Sequence, residues 1–296
     1  MNSRTRETII KQAFFATAAT SLAVLALIMI FLFMEGLPTF GFISVKNFIF
    51  GMEWYPTDEA RPDYGIFPLF AASGAVTVLS SLLAIPLGVM SAVYLAEIAS
   101  PRVRAVAKPV VEMLASLPSV VIGFFGMVVF APFLQEFLDI PVGLNLFNAS
   151  VMLAFMSVPT IASVSEDAIY AVPRELKEAS LALGATHLET LIRVTIPAAL
   201  SGIGTAVILG MSRAIGETMV VLMVAGGAAM VPDSIFGPIR PMPASIAAEM
   251  AEAPFRGNHY HALFATAMVL FLVTLFFNVL ADYISHKHRQ AGSASL

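Results

Sequence analysis

Residues 178–197 read Glu178-Ala179-Ser180-Leu181-Ala182-Leu183-Gly184-Ala185-Thr186-His187-Leu188-Glu189-Thr190-Leu191-Ile192-Arg193-Val194-Thr195-Ile196-Pro197, a moderately polar island in a very apolar chain. Local chemistry predicts a helix, a corner and a second helix. Pro173 can open the first helix, because its missing N–H would be unpaired in a first turn anyway. Glu175 to Leu183 are good helix formers. Gly184 stands where a helix ends in a left-handed residue. Thr186 and Glu189 have the Thr-x-x-Glu spacing of a capping box. The helix they start carries Leu188, Leu191, Ile192 and Val194, and Pro197 is expected to interrupt it before the next apolar run. These residues alone leave two readings open: a plain helical hairpin, or a place where something docks.

Composition explains why the island stands out. The 296 residues are 58% hydrophobic and 12% charged, whereas a soluble domain carries about twice that charged fraction. Most of the chain therefore lives in lipid. A net charge of −4 gives no reason to expect nucleic acid as a partner. The absence of cysteine excludes disulfides and thiolate chemistry, and the five histidines are scattered without metal-ligand spacing. No metal and no cofactor is expected.

A spanning helix needs about 20 mostly apolar residues. Stretches at roughly 13–34, 67–96, 110–134, 147–165, 203–230 and 261–284 qualify. The first follows Arg4, Arg6 and Lys11 and is too long for a signal-peptide core, so it reads as a retained helix. Pro86 is a candidate kink in the second, and the fourth is the shortest. Loop charge sets the orientation. Of the 16 basic residues, Arg4, Arg6, Lys11, Arg102, Arg104, Lys108, Arg174, Lys177, Arg193, Lys287 and Arg289 fall on one side. Only Lys46, Arg61, Arg240 and Arg256 fall on the other, and Arg213 lies within a span. That bias predicts cytoplasmic termini and a cytoplasmic island. Three loops then face outward: about 35–66, with Trp54, Pro56, Asp58, Glu59, Pro62 and Asp63; a short acidic one at about 135–146; and a proline-rich one at about 231–260. The expected division is an N-terminal helix and external loop over 1–66, a transmembrane core over 67–284 and a tail over 285–296.

Two spans carry chemistry. Span five contains Arg213 and, four residues later, Glu217. On a continuous helix these share a face and can pair. A charge at mid-depth costs about 2.5–3.5 kcal/mol on insertion scales. The pair therefore reads either as a packing device or as support for anion passage, since guanidinium forks suit tetrahedral oxyanions. In span three, Pro118-Ser119 breaks a turn. It is either an ordinary kink or the lining of a pathway, because freed backbone groups need cover from protein or water. Other polar residues attract bland readings. Glu97 and Glu112 are expected to be solvated or interfacial, Glu166 and Asp167 to mark the cytoplasmic boundary, and Arg256, Asn258, His259 and His261 to form a wet loop. There is no G-x-x-x-x-G-K-[ST] run and no convincing Ser–His order, so neither an ATP site nor an enzyme is expected.

Glu178-Ala179-Ser180…Gly184…Ile196-Pro197 resembles the EAA loop of membrane subunits of ABC importers, with Ser180 where alanine is usual and Ile196 where leucine is usual. The resemblance implies a coupling element seated in a groove of an ATPase. Ser212-Arg213-Ala214-Ile215-Gly216-Glu217-Thr218-Met219 resembles the R-A-x-G-E-T-M segment of permeases in phosphate-specific ABC importers. Leu117-Pro118-Ser119-Val120-Val121-Ile122-Gly123 resembles their P-S-V-V-x-G segment. Trp54-Tyr55-Pro56 with Tyr64-Gly65-Ile66-Phe67-Pro68-Leu69 is similar to the entry to span two in the PstC-type subunit. The resemblance implies an all-α membrane protein with six transmembrane helices and the type I ABC importer permease fold. It implies inward translocation of inorganic phosphate along Arg213, Glu217, Pro118 and Ser119, with coupling through Glu178, Ala179, Ser180, Gly184 and Pro197. The implied partners are a second homologous permease, a cytoplasmic ATP-binding subunit and an external phosphate-binding protein. A permease for sulfate, molybdate or phosphonate, and a stand-alone secondary carrier, are the competing readings.

Overall fold

The computed structural model describes residues 3–58 and 61–293. Glu59 and residues 294–296 of the tail lie outside the described residues, as do the side chains of Arg4, Arg6, Lys287 and Arg289. The helices are α1 (Ser3–Gly36), α2 (Val45–Phe50), α3 (Phe67–Val93), α4 (Pro101–Ala115), α5 (Ser119–Phe125), α6 (Ala131–Leu138) and α7 (Leu146–Tyr170). They continue as α8 (Arg174–Ala182), α9 (His187–Thr190), α10 (Ile196–Ile215), α11 (Met219–Val224), α12 (Met242–Glu249) and α13 (Asn258–Ser293). Two short antiparallel strands, β1 (Trp54–Tyr55) and β2 (Asp63–Tyr64), pair Trp54 with Tyr64.

Among the described residues six stretches are long and apolar enough to cross a membrane: Ile10–Gly41, Phe67–Ile98, Ser119–Leu138, Leu146–Tyr170, His187–Ile215 and Asn258–Leu280. Two expected spans move. Span three starts at Ser119 rather than near 110, because α4 ends before Ser116-Leu117-Pro118 and the helix restarts at the proline. Span five covers His187–Ile215 rather than 203–230. Pro197 does not interrupt it: a π-turn over Leu191–Thr195 precedes α10, and the proline sits in the first turn of α10, where no N–H is needed. The helix instead stops at Gly216.

Helix α7 is the centre. Helices α3, α10, α4 and α5 all pack on it. This is why it reads as the weakest span: shielded on most sides by protein, it carries Asn148, Ser150, Ser157, Ser165 and Glu166 fully buried. One side chain joins three helices there. A Cβ at Gly88 of α3 would lie 2.8 Å from Ile161 Cβ, and one at Gly210 of α10 would lie 2.6 Å from Ile161 Cγ1. Ile161 is 1% exposed. The two glycines are notches that let both helices close on this branched side chain.

The segment between spans one and two is folded, not loose. Phe48, Trp54, Tyr64 and Ile66 pack with Leu69 of α3, Met242 of α12 and Leu263 of α13. Gly51 and Gly65 touch backbone to backbone, where a Cβ on Gly65 would lie 2.4 Å from the Gly51 carbonyl carbon.

Gly210→Leu is expected to destabilise the protein by about 1–3 kcal/mol, the usual cost of overpacking, read as a lower midpoint in thermal unfolding in detergent. Ile161→Ala in the same chain should recover part of the loss. An unchanged midpoint in Gly210→Leu would show that the notch is not required.

Candidate functional site

The hairpin forms as its residues dictate. Helix α8 covers Arg174–Ala182 behind Pro173, and Gly184 has φ +89°. Nothing lies within 4 Å of a Cβ built on Gly184, so the backbone angle, not space, demands glycine. The capping box is complete: the Glu189 amide donates to Thr186 Oγ1 at 3.2 Å, and Glu189 Oε2 accepts from the Thr186 amide at 2.9 Å. Ser180, the departure from the usual alanine, shares a 2.9 Å hydrogen bond with Thr190 that ties the two arms. The hairpin then has two faces. Lys177, Ser180 and Leu181 are half-buried against the protein, while Glu178, Ala179, Leu183, Leu188 and Ile192 are exposed, Leu183 at 90%. Exposed leucines beside small residues present a surface for close contact with another protein. Pro197 is exposed farther along, on α10.

Two helical breaks lie beside the same stretch of α7. Helix α10 runs antiparallel to α7: Gly202 faces Ala168, Gly210 faces Ile161, and Arg213 Nη1 donates to Thr160 Oγ1 at 3.3 Å. The chain through α4 and α5 also runs antiparallel to α7, with Arg104 of α4 at Glu166 and Gly126 beside Met152. The break between them at Ser116–Pro118 lies between those levels, and Leu117 packs against the buried cluster that includes Met152 and Met156. Beyond the breaks, α5 and α11 pack together, with Gly123 against Val220 and Met223. Pro118 is the N-cap residue of α5 and Ser119 its first residue. Arg213 is exposed at this level.

The expected Arg213–Glu217 pair is absent among the described residues. Because α10 ends at Ile215, Glu217 is not one helical turn beyond Arg213. Its carboxylate instead accepts from the Val220 amide at 3.4 Å, at the start of α11. Arg213 therefore has a neutral partner, Thr160, which nothing in the linear sequence singled out beyond its place after Pro159. No carboxylate lies within ion-pair distance of its guanidinium among the described residues.

Several polar residues given bland readings have partners in the fold, while Glu112, Arg256 and Asn258 are exposed. Glu166 is 2% exposed, held by Arg104 at 3.1 Å and Lys108 at 3.4 Å, while Lys108 also meets Asp167. Glu97 pairs with Lys177. His261 bonds the Glu35 carbonyl at 2.8 Å, and His259 is buried. Glu249 gathers the opposite end of the protein. Its carboxylate accepts from Arg240 Nη1 at 2.7 Å, Ser245 Oγ at 2.8 Å and Trp54 Nε1 at 3.0 Å, and lies 2.9 Å from His259 Nε2. Arg240 Nε also donates to the Gly227 carbonyl at 2.7 Å. Burial works to raise the Glu249 carboxyl, but the bonds to His259, Ser245 and Trp54 and the Arg240 charge hold it below the usual carboxylate range. This clasp borders a cavity of about 650 Å³ also lined by Tyr55 and Glu252. The signal was weak because its members lie up to 195 residues apart in sequence.

Six apolar stretches among the described residues and a glycine-cornered hairpin with an exposed apolar face define a polytopic membrane protein. Residues 84–290 match the binding-protein-dependent transport system inner membrane component family. The chain belongs to that family. It is 37% identical over 276 residues to the probable ABC transporter permease protein YqgH of Bacillus subtilis, covering 93% of this chain and 89% of that one. It is 33% identical over 259 residues to the phosphate transport system permease protein PstC of Pasteurella multocida, covering 81% and 78%. Among solved structures, a chain of a bacterial alginate ABC transporter superposes with TM-score 0.67 at 15% identity, covering 96% of both chains. A chain of the MetNI methionine ABC transporter gives TM-score 0.58 at 21% identity, covering 73% of this chain and 93% of that one. The fold is that of type I ABC importer permeases, and the protein is an ABC importer permease.

Trp54 is the only tryptophan in the sequence, so its fluorescence reports the clasp. Glu249→Ala is expected to shift its emission to the red, whereas Glu252→Ala leaves it in place. Because the folded Glu249 carboxyl is depressed, the stability it contributes is present above its ordinary pKa of about 4.3 and is lost only as pH falls through the lower folded value. Emission should stay constant between about pH 8 and pH 5 and change only in stronger acid. A midpoint near neutrality would show that the Glu249 carboxylate does not govern the clasp.

Proposed function

We propose that this permease carries inorganic phosphate inward, driven by ATP hydrolysis on a separate subunit. One observation carries the choice of an anion: Arg213 stands at the level where two neighbouring spans break, hydrogen-bonded to a hydroxyl and unpaired with any described carboxylate. A guanidinium so placed keeps its charge and its bidentate donors for a tetrahedral oxyanion. Thr160 fixes one of its nitrogens. Glu217 flanks the break after α10 and Pro118 and Ser119 the break before α5, and the backbone turns there are tolerable in lipid only beside protein or a watered path. The identity to phosphate transport permeases supports phosphate over sulfate, molybdate or phosphonate.

The other roles follow from this reading. The exposed face around Glu178, Ala179 and Leu183 fits a groove of a cytoplasmic ATP-binding subunit, with Ser180, Gly184 and Pro197 setting the hairpin's shape. A second, homologous permease lines the other side of the path. An external phosphate-binding protein delivers cargo at the clasp end. Both termini and the hairpin are cytoplasmic, as the distribution of basic residues requires. The working unit is 67–284, preceded by the helix and external segment of 1–66 and followed by the tail of 285–296.

Arg213→Gln, present at normal level in the membrane of a strain deleted for the gene, is expected to lower phosphate uptake about tenfold or more, equal to about 1.4 kcal/mol or more of barrier. Full uptake in that variant would remove Arg213 from the pathway. Competition by sulfate or molybdate stronger than by phosphate would reassign the cargo. The chain has no cysteine, so orientation is open to single-cysteine labelling. Leu183→Cys should react with an impermeant maleimide only after permeabilisation, and Thr57→Cys should react in intact cells stripped of outer barriers. The reverse pattern would invert the topology.

A further inference from the structure

Span two closes in a π-turn over Tyr94–Ile98, sealed by the Ala99 amide on the Tyr94 carbonyl at 2.8 Å. Glu97 leaves this turn toward the hairpin and meets Lys177 Nζ at 2.5 Å. Lys177 sits on α8, immediately before Glu178-Ala179-Ser180. The two side chains are 23% and 24% exposed, and the bond itself lies at the surface, so it acts by fixing the two elements' positions rather than by adding much stability. It joins positions 80 residues apart in sequence.

We propose that Lys177 and Glu97 are a strut that carries movement of the hairpin into span two. This rests on the reading of the hairpin as the attachment point of the ATP-binding subunit. The hairpin has three ties to the spans. Residues 171–173 join it to α7, with Val172 buried among Ala92, Ile169, Ala199 and Ile203. The second arm continues through the π-turn at Leu191–Thr195 into span five without a break. The third tie is Lys177–Glu97, the one ion pair between the hairpin and span two among the described residues. The Ser180–Thr190 bond makes the two arms one body, so a push on the exposed face reaches both span five and, through Lys177, span two. Span two presents Gly88 to Ile161, the residue after Thr160, to which Arg213 donates. The strut therefore ends on a helix that borders the proposed pathway. Lys177 and Glu97 touch no cargo; they are positioning residues that act through the helices they join.

The test is a charge exchange in the assembled transporter, reconstituted in liposomes with its ATP-binding subunit, its second permease and its binding protein. The readouts are ATP hydrolysed in the presence of loaded binding protein, phosphate moved per ATP, and co-purification of the ATP-binding subunit. Glu97→Lys and Lys177→Glu are each expected to lower the phosphate moved per ATP about fivefold or more while the subunits still co-purify, and the double exchange should restore it to within about twofold, as a direct pair requires. Glu97→Gln, which adds no repulsion, should show a smaller loss in the same direction and keeps the test valid if a reversed charge prevents folding. Single variants with the coupling ratio of the unaltered protein would overturn the strut. So would losses that the exchange fails to rescue. Failure of the unaltered chain to hold an ATP-binding subunit would instead overturn the hairpin reading, and the strut with it. If the cargo is not phosphate, the ATP readout alone still separates the variants.

Discussion

Ile161 fills the notch at Gly88 on one helix and at Gly210 on another, and α3 and α10 are set against α7 at that contact. Apolar burial drives little association between helices in lipid, because the tails are as apolar as leucine. Close packing and internal hydrogen bonds must hold the bundle instead. A branched side chain clamped by two glycines gives both spans a fixed register against α7. The same register sets Arg213 opposite Thr160, one residue before Ile161. The geometry of the proposed pathway thus depends on a packing contact that has no polar atom in it.

The second constraint is that every backbone group inside the bilayer needs a partner. The chain meets it with π-turns and side chains rather than with unbroken helices. At the π-turn over Gly126–Phe130, the Gly126 carbonyl accepts from Asn148 Nδ2 at 3.0 Å, and the same amide reaches the Gly143 carbonyl at 2.9 Å. Pro197 follows another such turn. The breaks between α4 and α5 and between α10 and α11 are then covered by protein on the α7 side. Each break frees the residue beside it from helical constraint, which is how Glu217 comes to cap α11 instead of pairing with Arg213.

Much of this was legible in the chain, for identifiable reasons. The hairpin was readable because its determinants are local: a proline start, a left-handed glycine and a capping box all act within a few residues. The number of spans was readable because the bilayer imposes a length. Helix ends were misjudged where a local signal had a tertiary remedy, as at Pro197, or where hydropathy ran through a break, as at Gly216. Helix α7 read as the weakest span because its polar residues face protein, and a hydropathy pattern cannot tell protein from lipid.

The sequence by itself therefore determined the solvent, the six crossings, the hairpin and the family, since these follow from composition, length and short-range motifs. Only the tertiary structure decided the partners of the charges. Glu249 draws on Trp54, Arg240, Ser245 and His259. Glu97 draws on Lys177, and Arg213 on Thr160 rather than Glu217. In lipid a polar group must find a partner inside the fold, and which one it finds depends on how helices far apart in sequence pack. No local pattern records that.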